Sequence, residues 1–304
     1  MRVAYLGTSP FAVAVLRRLA DSPHRPAIVL TPPDRPRGRG RRLAPPPAAQ
    51  AATELGLALH QTESVNRDSS VAATRAADVD LGVVCAFGQL IRDPLLSELE
   101  MLNVHPSLLP RWRGAAPIER AILAGDAATG VSILRVTAGL DSGPVALREA
   151  VEIAARDDYG ALSARLAELA GDLILRALDL REAGTLEFTE QDDSEATYAE
   201  KISPRERRLD PDRPAIELER TVRALTPHIG AYLELDGGER LGVRAATAEA
   251  AGDTDRRMLA AVHGRLALRC AQGRLRLDVV QPAGRRPMSA DAYLRGHRLP
   301  SLPR

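Results

Sequence analysis

The chain has 304 residues, 45% of them apolar and 27% charged, with a formal net charge of +1 at pH 7. That is long for one domain and comfortable for two, and the composition is that of an ordinary soluble globular enzyme. A near-neutral balance carries no whole-chain signature of nucleic-acid binding; only local charge could carry one.

Lys201 is the only lysine, so every other cationic side chain is an arginine and a single arginine says little. Cys85 lies in an apolar run and Cys270 in an alternating one. Both read as small buried residues, with no disulfide framework and no metal site. The N-terminus enters a strand at once, and no apolar run approaches membrane-spanning length. A cytoplasmic protein with no membrane partner is the expectation.

Residues 3–6 form a short apolar strand, followed by Gly7-Thr-Ser-Pro10 and a helix to about residue 20. Thr8 or Ser9 suits the N-cap and Pro10 the first helical position. One glycine in this turn is no dinucleotide fingerprint. A second strand covers 27–30. Then Arg35, Arg37, Arg39, Arg41 and Arg42 alternate with Pro36, Gly38 and Gly40. Glycine and proline oppose a helix, so a loop is expected. Five clustered guanidinium groups repel one another unless a polyanion is near, which favours a phosphate-backbone contact over a solvated linker.

A helix at 46–56 and a strand at 57–60 follow. The run 81–87 is continuously apolar, the mark of a strand buried on both faces of a parallel sheet. A short helix at 93–99, a strand at 101–105, a helix at 117–124 and strands at 131–136 and 145–153 continue the alternation. Residues 160–183 form a long helix with Leu162, Leu166, Leu169, Leu173 and Leu180 on one stripe.

Beyond about 187 the texture changes. An acidic, polar stretch reads as a linker. After it come one helix at 216–225 and short strands near 231–235, 239–247, 259–262, 265–271 and 274–281, which suggest a small antiparallel barrel. In its last hairpin Leu266, Leu268, Leu275, Leu277 and Val279 face one way. Arg265, Arg269, Arg274 and Arg276 face the other, an exposed basic face suited to nucleic acid or simply to solvent.

The segment 102–117 concentrates the chemistry. Asn103 and His105 are two apart on a strand and so share a face. Asp141 follows a strand expected to neighbour theirs. An amide and an imidazole that donate to a developing oxyanion, with a carboxylate to orient the imidazole and help move a proton, suit attack on a carbonyl carbon. No G-x-S-x-G elbow and no cysteine before a helix is present. Direct transfer to an incoming nucleophile is the simplest reading, and whether His105 or Asp141 is the base stays open.

The run Asn103-Val-His-Pro-Ser-Leu-Leu-Pro-Arg-Trp-Arg-Gly-Ala-Ala-Pro117, with Gly139-Leu-Asp-Ser-Gly143, resembles the 10-formyltetrahydrofolate-dependent formyltransferases. Further matching stretches run from Leu6 to Ala12, Pro33 to Leu43, Thr197 to Ile202 and Gln281 to Ser289. The arginine loop and the C-terminal stretches are similar to the members that act on charged initiator tRNA. Pro106, Ser9-Pro10 and the segment 135–138 depart from the family's usual pattern, but none is a residue of the trio.

The resemblance implies an α/β chain: a Rossmann-like formyltransferase domain with a mostly parallel sheet at 1–187, a linker at 188–206, and a small antiparallel OB-like β-barrel domain that binds tRNA at 207–304. It implies that Asn103, His105 and Asp141 are catalytic. It implies 10-formyltetrahydrofolate as formyl donor, without metal, held by Ser107, Leu108, Leu109 and Pro110 and by Phe87, Gly88 and Leu90. Initiator methionyl-tRNA is the implied partner, contacted by Arg35, Arg37, Arg39, Arg41 and Arg42 and by Arg269, Arg274 and Arg276 of the barrel. The chain is expected to act as a monomer. A sugar-amine formyltransferase would not need the arginine loop, and a non-catalytic folate- or RNA-binding protein would not need the trio.

Overall fold

The computed structural model describes residues 1–37, 40–250, 259–262, 265–299 and 301–302. Arg39 lies outside them. The chain divides into two compact units, Met1–Pro117, Ala128–Glu152 and Ser163–Ala199 in one, Ile118–Ala127, Ile153–Leu162 and Glu200–Arg304 in the other.

The first unit is built on a seven-stranded sheet. β1 (Val3–Gly7) is buried along its whole length and leads into α1 (Pro10–Ala20). Ser9 caps α1 by accepting from the Ala12 amide, and Pro10 sits in its first turn, as the sequence predicts. β2 (Pro26–Thr31) follows. The arginine segment is a short antiparallel hairpin, β3 (Arg35–Arg37) and β4 (Arg42–Ala44), rather than an irregular loop. Its residues show no apolar alternation, and Pro36 argues against a central strand but not against an isolated ribbon.

α2 (Pro47–Glu54), β5 (Leu59–Gln61) and α3 (Asp68–Ala76) come next. α3 escapes a sequence reading because only Ser70, Val71 and Thr74 are buried in it. β6 (Leu81–Cys85) is buried throughout. α4 (Leu95–Glu98) and β7 (Met101–His105) follow, then the two-residue strand β8 (Arg113–Gly114), α5 (Pro117–Ala124), β9 (Ala128–Arg135) and β10 (Val145–Glu152).

The sheet order is β10-β9-β7-β6-β1-β2-β5. β7, β6, β1, β2 and β5 are mutually parallel, and β9 and β10 are antiparallel additions. The chain leaves β1 first toward β2 and later toward β6, so the order reverses there. In open α/β sheets ligands bind outside the strand ends near such a reversal.

α6 (Tyr159–Glu182) is the long helix. Its core line runs through Leu162, Leu166, Ala170, Leu173, Ile174, Ala177 and Leu178. Leu169 and Leu180 are only half-buried, because a 3.6-residue period drifts off a stripe drawn from leucines alone. The first unit then continues through β11 (Tyr198–Ala199), which pairs in parallel with β8.

The second unit carries α7 (Ala215–Leu225) and an antiparallel sheet. Its strands are β12 (Ala231–Glu234), β13 (Arg240–Glu249), β14 (Leu259–Val262), β15 (Arg265–Arg269), β16 (Arg274–Gln281) and β17 (Met288–Ser289), with α8 (Ala290–Gly296) last. The order is β12-β13-β16-β15-β14, and β17 adds to β16. Leu218, Val222 and Leu225 of α7 enter one core with Leu241, Val243, Leu266, Leu268, Leu275, Leu277 and Val280. No helix among the described residues is long and apolar enough to cross a membrane.

Candidate active site

β7 presents Asn103, half-buried, and His105, 4% exposed, on one face. β9 is its antiparallel neighbour, and the loop after β9 returns Asp141 to that face. Asp141 is the hub. Its Oδ1 accepts from Asn103 Nδ2 at 3.0 Å. Its Oδ2 accepts from the Gly114 amide at 2.9 Å and lies 3.6 Å from His105 Nδ1. The Asp141 backbone is left-handed, φ +47°, a conformation that aspartate tolerates better than most residues but that still costs free energy.

The second imidazole nitrogen, Nε2, lies 2.8 Å from the carbonyl oxygen of Trp112. A carbonyl can only accept, so Nε2 carries the proton and donates. In the neutral ring the lone pair is therefore on Nδ1, facing the carboxylate of Asp141. Trp112 is itself left-handed, φ +63°, which turns its carbonyl toward the ring.

The loop after β7 is locked from below. Ser107 Oγ donates to the Arg111 carbonyl at 2.6 Å. Ser132 Oγ, from β9, donates to the Ser107 carbonyl and accepts from the Leu109 amide. Ser107 and Leu109 have no exposed surface and Phe87 has 3%. Ser107 and Leu109 anchor the loop after β7, and Phe87 packs behind the end of β6. Leu108 and Pro110 keep some surface, while Gly88 and Leu90 are exposed.

Sequence reading misses Ala86. It is exposed and left-handed, φ +44°, beside Gly88 at φ +76°. It also misses Ser132, whose only signal is a hydroxyl inside an apolar strand. Gln191 and Thr197 are missed because an acidic, polar stretch looks like a linker, and Arg113 because its partners Gln191 and Asp193 lie in that stretch. Thr197 Oγ1 accepts from the Trp112 amide at 2.9 Å.

Cys85 ends β6 next to β7. Burial pushes its thiol up to about 12, so it is an inert core residue rather than a nucleophile.

Of the basic residues, Arg35, Arg41 and Arg42 of the hairpin are exposed. The exposed arginine face of the second unit is corrected in part. Arg274 pairs with Glu249, and Arg276 with Glu249 and Asp278. Their side chains are 29% and 25% exposed, and Arg269 remains exposed. The acids lie on the neighbouring strand β13 and two residues along β16, partners that cross-strand register supplies and sequence alternation does not show.

A family model described as formyl transferase matches residues 1–178. The chain belongs to the formyltransferase family. A second model, described as the formyl transferase C-terminal domain, matches residues 201–298. A methionyl-tRNA formyltransferase of Halorhodospira halophila is 45% identical over 302 residues, covering 98% of this chain and 97% of its own length. One from Ectopseudomonas mendocina is 42% identical over 296 residues, 96% of this chain and 94% of its own.

Among solved structures, HypX from Aquifex aeolicus in complex with tetrahydrofolic acid aligns with a TM-score of 0.65 at 18% identity. It covers 97% of this formyltransferase, which spans about half of HypX, 47%. WlaRD, a sugar 3N-formyl transferase, aligns with a TM-score of 0.64 at 13% identity over 94% of this chain and 99% of its own. These two likenesses establish the formyltransferase fold.

Proposed function

We propose that this formyltransferase moves a formyl group from 10-formyltetrahydrofolate to the α-amine of methionyl initiator tRNA for translation initiation. The observation that carries the reading is that relatives named methionyl-tRNA formyltransferase align with nearly the whole chain, 98% of it at 45% identity. The C-terminal region is matched in the same chain.

For catalysis we assign Asn103, His105 and Asp141. One N–H of the Asn103 amide is given to Asp141, and a carboxamide has a second. That second N–H is the donor for the formyl oxygen as negative charge develops there. His105 Nδ1 takes the proton that the attacking amine must lose, and the Asp141 carboxylate 3.6 Å away balances the resulting charge. The new bond joins the amine nitrogen to the formyl carbon as the bond to the folate nitrogen breaks. The folate co-substrate supplies the formyl group and leaves with a proton on that nitrogen.

The end of β6 fits a flat heterocycle. Ala86, Gly88 and Leu90 are exposed there, and beyond its two chain neighbours nothing stands within 4 Å of where a Gly88 Cβ would be. Leu108 and Pro110 supply further apolar surface.

For tRNA we assign Arg35, Arg37, Arg39, Arg41 and Arg42 to acceptor-stem phosphates, and Arg269 to the backbone on the second unit. Arg274 and Arg276 support that face through Glu249 and Asp278. Catalysis is assigned to 1–187 and tRNA binding to 207–304, in a chain acting as a cytoplasmic monomer. The test is formyl transfer to charged initiator tRNA measured beside transfer to an amino sugar.

A further inference from the structure

The two family matches leave residues 179–200 unclaimed, yet a side chain from that gap reaches the Asp141 loop. Gln191 is half-buried among exposed neighbours. Its amide nitrogen donates to the carbonyl of Asp141 at 2.8 Å and to that of Gly143 at 2.7 Å. Its amide oxygen accepts from Arg113 Nε at 3.0 Å and Nη2 at 2.9 Å.

Arg113 is 3% exposed, and its backbone amide donates to Thr197 in the same gap segment. Its guanidinium also donates to Asp193 at 2.8 Å. The next residue, Gly114, gives its amide to Asp141 Oδ2. A ring of hydrogen bonds thus closes on one residue: Arg113 to Gln191, Gln191 to the Asp141 backbone, the Asp141 carboxylate back to Gly114.

The donors decide the orientation. Two carbonyls on one side and a guanidinium on the other leave a glutamine only one way round. The restraint falls where it is needed. Asp141 is held at φ +47° in a loop with Gly139 and Gly143 on either side. A left-handed residue between two glycines relaxes unless its surroundings hold it.

We infer that Gln191 is a positioning residue, which fixes the Asp141 carboxylate against Asn103 and His105 through the Asp141 backbone. This rests on the catalytic role proposed for Asp141. The expected consequence of removing it is a slower reaction with intact substrate binding, since an ångström of misplacement costs about 100-fold in rate.

Gln191→Glu separates the role from mere packing. A carboxylate keeps the Arg113 partner, so the segment stays anchored, but it cannot donate to the two carbonyls. Gln191→Leu removes both ends. Full-length chains are compared in steady-state formyl transfer to methionyl-tRNA, alone and combined with Asp141→Asn. Both Gln191 variants are expected to lower kcat by about 10- to 100-fold, with both KM values within about threefold. In the Asp141→Asn background the Gln191→Glu change is expected to cost under about twofold more, because residues acting through one group are not additive.

A wild-type kcat for Gln191→Glu beside a strongly slowed Asp141→Asn overturns this inference alone. So do losses that multiply in the double variant. A wild-type kcat for Asp141→Asn overturns the catalytic assignment itself. If Gln191→Leu fails to fold, Gln191→Glu decides the matter.

Discussion

His105 donates from Nε2 to the carbonyl oxygen of Trp112 at 2.8 Å, and this one bond determines which imidazole nitrogen is available. The remaining nitrogen faces Asp141 at 3.6 Å, between the carboxylate and the face that Asn103 shares. The proposed direct transfer uses His105 as a base with a fixed tautomer and Asn103, two residues away, as the oxyanion donor. His105→Ala is expected to lower kcat by about 100- to 10,000-fold, the range for a general base. Affinity for tRNA, measured by filter binding, should stay unchanged. Surviving turnover would show that the proton moves by another route.

Gly143 tests the Asp141 loop from its other end. A Cβ there would collide with the backbone carbonyl of Arg135, and backbone cannot swing aside as a flexible side chain does. Gly143→Ala is therefore expected to displace the loop, with a stability loss of about 1–3 kcal/mol and a kcat lowered more than KM. Thermal unfolding and steady-state kinetics report the two effects separately. An unaltered kcat would mean that the loop can move without consequence.

The arginine hairpin should act through charge. Replacing Arg35, Arg41 and Arg42 with alanine is expected to raise KM for tRNA and leave KM for the folate unchanged. The slope of log affinity against log salt should flatten by about 0.7–0.9 for each phosphate deprived of its arginine. An unchanged slope would remove the hairpin from the tRNA interface.

Arg276 should behave differently. It is bonded to Glu249 and Asp278 and only 25% exposed. Pairs of that kind contribute under about 1 kcal/mol. Arg276→Ala is expected to shift tRNA affinity less than any hairpin replacement does, as titrations of both variants at one salt concentration would show.

Burial pushes the Cys85 thiol from 9.0 to about 12 and the Cys270 thiol to about 11. At pH 8 a thiol reagent should label neither in the native protein and both after unfolding. The sign of the stability effect follows. The folded pKa of Cys85 is raised, so its contribution is complete below pH 9.0 and is lost as pH rises toward about 12. Rapid native labelling of Cys85 would contradict its place in the core of β6.

The parallel sheet is legible because its strands are continuous apolar runs, such as 81–85, and because Ser9 and Pro10 announce the first helix. That Asn103 and His105 share a strand face is legible from strand periodicity alone. Asp141 is legible as a loop residue after a neighbouring strand, though the sequence does not show its left-handed backbone or the Gly114 amide that meets it. The burial of Ser107 and Leu109 is hidden because Ser132, 25 residues away in the chain, decides where the loop points. Gln191 is hidden more deeply. A polar side chain in an acidic stretch looks solvated until its carbonyl partners, 50 and 48 residues distant, are in place.

The most direct test of the whole account is a side-by-side assay of the full chain with 10-formyltetrahydrofolate, offering methionyl initiator tRNA in one reaction and an amino sugar in the other. Formyl-methionyl-tRNA is the expected product, with no formylated sugar, and His105→Ala is expected to abolish it. Formylation of the sugar with none on the tRNA would contradict the proposed function.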